Sequence, residues 1–465
     1  MGIPSFYRHL CRKYPNIITS TIVRPAWLCL DFNCAMYHVL RTMEPYKTET
    51  NAVWERTFRK RICKYLEEIV DKVIPTAGIY VACDGVVCAA KRRQQRLRRF
   101  KGPYLAALEN KENKDGWDQN ALTPGSDFMA SLAKDLVKTG SALQKSMGIP
   151  VIISTTEEPG EGEHKIMFHM RGLPEPATCM IYGLDADLVL LAMLLVSERG
   201  QSVHLLREAQ EFEPATGWRT VDIPALQSVL LKSIQHTDDF VAAMSLLGND
   251  FIPKSLTHTV RGDGIPKLIE NLEGLWSKGK SLVVDGSIDP TSLQLIVKQL
   301  ASEEEYLFMT YRNKSGKMLE LYKDYRLKSN WQNIYTEWCN PDPSEYLAGI
   351  AWVFDYYKGR PVDLGWFYEP HLPPLFSLLG SNISPPPLRY TTYLPSWIHL
   401  LAVLPEKSAR HLLKKSKLGL IKKHPEFWPD QFSLFDIGTT QLWQTEPLIP
   451  IIPEAVLRDL WQKLD

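Results

Sequence analysis

Four short apolar runs in the first half of the chain set the fold: Trp27-Leu-Cys-Leu, Gly78-Ile-Tyr-Val-Ala-Cys, Val151-Ile-Ile-Ser and Cys179-Met-Ile-Tyr-Gly. Each has strand length, and each is followed by a longer stretch with helical spacing of its apolar residues. Strands that alternate with helices build a mostly parallel sheet covered on both faces. Three of the four runs lead into aspartates, at Asp31, at Asp84, and at the pair Asp185 and Asp187. In such sheets ligands bind outside the carboxyl ends of the strands. The expected fold is α/β: a mostly parallel twisted sheet flanked by helices, with acids delivered to one edge.

The helices are legible as well. Phe6 to Tyr14, closed by Pro15, has aromatic and basic sides, and Val53 to Val73 has helical spacing. Thr123-Pro-Gly-Ser126 is a turn with an N-cap before a helix from Asp127 to Met147. Another helix begins near Lys165, and a strongly apolar one runs to Leu195. After Thr220 the texture is helical, and Asp250 stands just beyond an apolar helix broken by Gly248. A chain of 465 residues exceeds what one compact core normally holds. The expected organisation is a core over residues 1–276, a connector over 277–304, and an aromatic-rich, mainly helical and irregular region over 305–465 packed on the core.

A net charge of +1 gives no general attraction for polyanions, so nucleic-acid binding has to come from a local patch. Eight cysteines without zinc-type spacing read as reduced thiols of an intracellular protein; the cytoplasm is expected over the nucleus. No apolar run approaches the ~20 residues needed to cross a bilayer. A soluble monomer without a membrane partner is expected.

The patch is the stretch from Asp84 to Lys101. After Gly85 it holds no Pro or Gly until Gly102, and good helix formers dominate it. On a helix Lys91, Gln95, Arg98 and Arg99 share a face, and cations converging with an amide suit a dianionic terminal phosphate. Seven acids stand at strand ends, in a Gly-rich loop or directly after apolar elements: Asp31, Asp84, Glu161, Glu163, Asp185, Asp187 and Asp250. Gly160 and Gly162 let the chain bend tightly around the two glutamates. Gathered acids repel one another unless cations neutralise them. Hard oxygen donors indicate Mg²⁺ or Mn²⁺, and two such ions about 4 Å apart are the usual device for in-line phosphodiester hydrolysis. A lone strand-end Asp is more often a helix cap, the role assigned to Asp238 and Asp239, and His164 reads either as a residue supporting the metal ligands from behind or as a helix-start residue.

Several of these stretches occur together and in order: Met1-Gly-Ile-Pro-Ser-Phe-Tyr-Arg, Leu30-Asp-Phe-Asn, Asp84-Gly, Lys91 through Phe100, Leu122-Thr-Pro-Gly, Pro159-Gly-Glu-Gly-Glu-His-Lys, Tyr182-Gly-Leu-Asp-Ala-Asp-Leu, Leu205-Leu-Arg-Glu and Gly248-Asn-Asp-Phe-Ile-Pro. With them the chain resembles the XRN family of 5′→3′ exoribonucleases, whose catalytic core is similar to flap endonucleases and PIN-like nucleases. A second family region looks present from Glu345 to Tyr357, at Trp366-Phe-Tyr and at Leu401 to Pro405. The resemblance implies processive degradation of 5′-monophosphorylated single-stranded RNA to mononucleotides, as in mRNA decay. It gives the seven acids to two metal ions, and Lys91, Gln95, Arg98 and Arg99 to the 5′ phosphate. Where the family usually carries a base-stacking His, this chain has Tyr37, with His38 one step on; Trp366 is the candidate for the opposing aromatic. Two alternatives stand beside it. A flap-type DNA endonuclease would show Gly-rich duplex-binding turns after the last acids, and a non-catalytic RNA-binding relative would have lost acids.

Overall fold

The computed structural model describes residues 3, 5–43, 51–108, 116–210, 212–213, 216–311, 316–439 and 441–463. In chain order the sheet is built from β1 (Ile18–Thr19), β2 (Trp27–Asp31), β3 (Gly78–Ala82), β4 (Val151–Ser154), β5 (Cys179–Tyr182), β6 (Val203–Glu208) and β7 (Trp218–Asp222). Their order across the sheet is β1-β7-β6-β5-β2-β3-β4. The five strands β2 to β6 run parallel to their neighbours. β7 lies antiparallel on β6, and β1 antiparallel on β7. The four expected strands are present; β6 and the antiparallel edge extend the sheet beyond them.

Helices cover both faces. They are α1 (Phe6–Lys13), α2 (Phe32–Thr42), α3 (Asn51–Val73), α4 (Ala89–Leu108), α5 (Asp127–Met147), α6 (Gly162–Arg171), α7 (Leu188–Arg199), α8 (Ile223–Leu231), α9 (Thr237–Met244) and α10 (Gly264–Trp276). Successive strand residues point to opposite faces, and the core divides accordingly. Leu28, Leu30, Ile79, Val81 and Tyr182 pack with α2, α3 and α5. Cys29, Tyr80, Ala82 and Ile181 pack with α6, α7 and α9. α7 is apolar on nearly every side because it is enclosed there, with nine consecutive buried residues from Leu188 to Val196.

The stretch 277–304, expected as a connector, is folded. A short hairpin pairs Val283 with Ile288, and Asp289 caps α11 (Pro290–Met309) by accepting from the backbone N–H of Ser292. Leu282, Leu293, Ile296, Val297 and Leu300 belong to the main core. Gly, Ser and Lys at 277–280 form only the turn that leads in.

The remaining helices are α12 (Trp331–Cys339), α13 (Pro343–Tyr357), α14 (Ser396–Val403), α15 (Glu406–Leu412), α16 (Gly419–Lys423) and α17 (Glu454–Gln462), with irregular chain between them. α13 is buried against α9 and the sheet-side core. α14 lies on α4, where Leu97 and Phe100 meet Ile398, Leu401, Trp428 and Leu457. Arg96 is fully buried in this seam and donates to the carbonyls of Ala402 (2.7 Å), Pro450 (3.1 Å) and Phe427. Arg92 pairs with Glu454 of α17. The basic helix is therefore sandwiched, with one side bolting the C-terminal region to the sheet domain.

Candidate active site

The strand register brings the acids to one edge. Asp31 lies opposite Ala82, and Leu30 opposite Tyr182, so the chain positions after β2, β3 and β5 coincide. Asn33 clamps Asp84 through Nδ2 to Oδ2 (2.8 Å), while the backbone N–H of Gly162 donates to Asp84 Oδ1 (2.7 Å). A Cβ on Gly162 would stand 2.8 Å from Asp31 Oδ1 and 3.4 Å from Asp84 Oδ1, so only glycine admits both carboxylates. Gly160, at φ +101°, makes the bend just before Glu161.

Beyond this pair the other acids close the nest. Glu163, Asp185 and Asp187 present oxygens within 4.8 Å of one another, and oxygens of Glu161 and Glu163 lie equally close to a ring nitrogen of His164. Glu161 accepts from the Tyr356 hydroxyl (2.7 Å) and lies 2.5 Å from Lys91 Nζ. The same ammonium stands 3.0 Å from Asp250 Oδ2. The helix-cap reading of these acids fails on geometry. Asp31 and Asp187 precede α2 and α7, yet neither side chain caps its helix. Asp239 is structural, as expected, though through contacts of another kind: it accepts from Trp276 Nε1 and the N–H of Val283, each at 2.7 Å.

Crowding and burial perturb the acids strongly. Burial, then Asp84 and Asp185, push Asp31 well above the carboxylate range, and burial with Asp187 and Glu161 does the same to Glu163. Asp187 is pushed up to about 7, chiefly by burial. Asp185 is held at about 2: burial opposes ionisation, but positive charges including Lys91 and Arg98 outweigh it. Lys91 is desolvated, yet Glu161, Asp250, Glu163 and Asp187 hold it firmly protonated. His164 is driven down to about 3 by burial and by Lys91, so it is neutral.

A divalent ion fits this donor set. Both oxygens of Asp187 and Oε1 of Glu163 are buried with no hydrogen-bond partner among the described residues. Buried carboxylate oxygens are ordinarily paired, and uncompensated charge there is costly. Oxygen donors of this number and hardness suit Mg²⁺ or Mn²⁺. The Tyr357 hydroxyl is likewise buried and unpartnered, and its surroundings are Asp187, Glu163 and Asp250. Sequence reasoning missed Tyr356 and Tyr357, which read as core aromatics of α13.

The four residues expected on one phosphate-binding face do not behave alike. Lys91 serves the acids. Gln95 is buried with Oε1 unpartnered, and Arg99 is buried, donating from Nη1 to Asn120 Oδ1 (2.9 Å) with Nε unpartnered. Arg98 is exposed. His399 on α14, fully buried beside Arg92 and Arg99, has neither ring nitrogen partnered; burial and those cations keep it neutral. No helical or motif spacing pointed to it.

Of the two stacking candidates, Tyr37 is half-buried on α2. His38 turns away to stack on Tyr65 (4.9 Å between centroids). Trp366 offers no free face: it is 8 % exposed, lies 5.2 Å from the Trp352 ring, and donates from Nε1 to Glu345. The expectation that it faces a base is corrected, because the ring is buried in the main core with Gly349 against the indole. Met1, Gly2 and Pro4 of the N-terminal motif lie outside the described residues.

Residues 1–209 match the family described as the XRN 5'-3' exonuclease N-terminus. The chain is 27% identical over 428 residues to 5'-3' exoribonuclease 2 of Candida glabrata, an alignment covering 72% of this chain and 41% of that protein. It is 30% identical over 323 residues to 5'-3' exoribonuclease 1 of Saccharomyces cerevisiae, covering 59% of this chain and 20% of that one. The chain thus spans well under half the length of these relatives. Among solved structures, the catalytic core of Rad2 in complex with DNA substrate aligns with 90% of this chain and 99% of its own at 14% identity; the TM-score of 0.36 is too low to bear on fold or function. Over its first 209 residues, the stretch that supplies six of the seven gathered acids, the chain is similar to the family described as the XRN 5'-3' exonuclease N-terminus.

Proposed function

We propose that this chain is a 5′→3′ exoribonuclease that removes mononucleotides processively from 5′-monophosphorylated single-stranded RNA. The observation that carries the reading is the nest of seven acids at the sheet edge, with the orphaned oxygens of Asp187 and Glu163 at its centre. Glu161, Glu163, Asp185 and Asp187 would hold the ions, with Asp31, Asp84 and Asp250 completing the shell. Two bound divalent ions would activate a water and stabilise the leaving oxygen of the phosphodiester.

The chain's own residues do the rest. Gln95, Arg98 and Arg99 receive the 5′ phosphate, with Arg99 oriented by Asn120. A monophosphate satisfies buried donors that a 5′ hydroxyl leaves unpaired, and a cap or triphosphate is too bulky for a closed cradle. Asn33 and the Gly162 N–H fix the Asp84 carboxylate, and Tyr356 fixes Glu161, so the donors are preorganised before substrate arrives. Neutral His164 adds no charge to compete with the ions.

The test is one RNA sequence carrying monophosphate, triphosphate, cap or hydroxyl at its 5′ end, with the matching DNA alongside. Mononucleotides released from the monophosphate RNA alone are the expected result. Internal cleavage, or DNA consumed equally well, overturns the reading.

A further inference from the structure

We propose that the lysine-rich surface over residues 407–423 binds the phosphate backbone of the RNA strand outside the active site; it rests on the RNA reading above. Six lysines, at 407, 414, 415, 417, 422 and 423, fall here, and no Asp or Glu occurs between Glu406 and Glu426. In a chain whose net charge is only +1, this is a concentrated positive field on an otherwise acidic background. A merely solvated face intersperses both signs; this one does not. None of the six lysines has a carboxylate partner among the described residues, whereas Arg410 in the same stretch is paired with Glu406. Five of them are exposed, and Lys417 lies over the Trp397 ring at 3.9 Å.

The charges sit on a fixed frame, because Ala409, Leu418, Leu420 and Ile421 anchor the segment in the C-terminal core. That frame adjoins the site. Ser408 Oγ accepts from Asn120 Nδ2 (3.0 Å), and Asn120 Oδ1 accepts from Arg99 (2.9 Å), so two hydrogen bonds separate the surface from the phosphate-binding side of α4. A membrane is the poorer occupant. Interfacial binding needs exposed apolar anchors, and none of the exposed large hydrophobic residues falls between 407 and 423. Six ammonium point charges on flexible stems suit sequence-independent phosphate contact.

The test uses the full chain carrying Asp187→Asn, so that RNA is bound but not consumed, with and without Lys414→Gln, Lys415→Gln and Lys417→Gln together. Binding of 5′-monophosphorylated RNA is measured with a trinucleotide and with a strand of roughly 25 nucleotides across a salt series. The triple variant is expected to bind the long strand at least ~10-fold more weakly, with a log–log salt slope shallower by about 2, and the trinucleotide equally well. The unchanged trinucleotide also shows that the variant is folded. Equal affinity and slope on the long strand, or the same loss on both lengths, overturns the proposal. If the chain with all six lysines binds neither RNA, the nuclease reading itself fails. If the variant instead loses only binding to anionic phospholipid vesicles, the surface belongs to a membrane.

Discussion

Lys91 Nζ stands 3.0 Å from Asp250 Oδ2, so the first cation of the basic helix is built into the acid nest. Its second contact, Glu161 Oε2 at 2.5 Å, makes it the resident counter-charge of two buried carboxylates. Removing one partner of a buried pair costs about 3–5 kcal/mol, because the other charge is left uncompensated. Lys91→Met should therefore lower the thermal midpoint of the EDTA-treated protein by several degrees. Saturating Mg²⁺ should recover most of that loss. A variant that melts like its parent in EDTA would show that the contact carries nothing.

Asp187 illustrates the opposite balance. It is fully buried, caps no helix and has no partner for either oxygen among the described residues. Asp187→Asn removes a charge that the metal-free fold must desolvate, so it should raise the midpoint in EDTA while reducing hydrolysis at least ~10³-fold. Asp185→Ala should abolish hydrolysis as well and leave the fold intact. Near-parental cleavage by both variants would dissolve the metal site.

The pH dependence follows from the same carboxyls. Asp31, Glu163 and Asp187 are raised, mainly by burial, and Asp187 reaches about 7. A carboxyl with a raised folded value contributes its stability below the unfolded range, about 4, and loses it as pH climbs through the folded value. The metal-free protein should thus lose stability as pH rises above about 4 through these groups, and up to about pH 7 through Asp187. Asp185, held down at about 2, acts in the other direction and only below about pH 4. The gain in thermal midpoint on adding Mg²⁺ should accordingly grow from pH 5 to pH 8. A gain independent of pH would mean that the ion does not displace protons from these acids.

Much of this site was legible because strand length, strand-end acids and glycine spacing are local properties. Asp31, Asp84, Asp185 and Asp187 follow apolar runs directly, and parallel register does the gathering. What was not legible depends on neighbours distant in sequence. Val203–Glu208 and Trp218–Asp222 become strands by pairing with each other and with β5. The segment 277–304 reads as a connector from its glycines and lysines, whereas the Asp289 cap and the apolar positions of α11 decide the outcome. Helical spacing shows which residues of α4 share a face, but not what covers it. Hence the spacing that pointed Lys91 to a phosphate did not show its contacts with Glu161 and Asp250. Trp366 was misplaced for the same reason: an aromatic-rich run does not reveal which rings are sealed.

Two arginines two residues apart test that division of α4. Arg96 is buried and is the donor to three main-chain carbonyls of the C-terminal region. Arg96→Met leaves those carbonyls without a charged partner, and at about 1.5–3 kcal/mol for a hydrogen bond to a charged group the loss should be on the order of 3 kcal/mol or more. Arg98 is exposed, and its replacement by Ala should shift stability by less than about 0.5 kcal/mol. Its charge is among those that lower Asp185, and it stands three residues from Gln95 on α4. Arg98→Ala should therefore narrow the rate ratio between 5′-monophosphate and 5′-hydroxyl RNA while the protein melts normally. Denaturant unfolding of both variants, together with that ratio for Arg98→Ala, separates the two roles. An unchanged ratio would reduce Arg98 to a solvated surface residue and leave the phosphate to Gln95 and Arg99 alone.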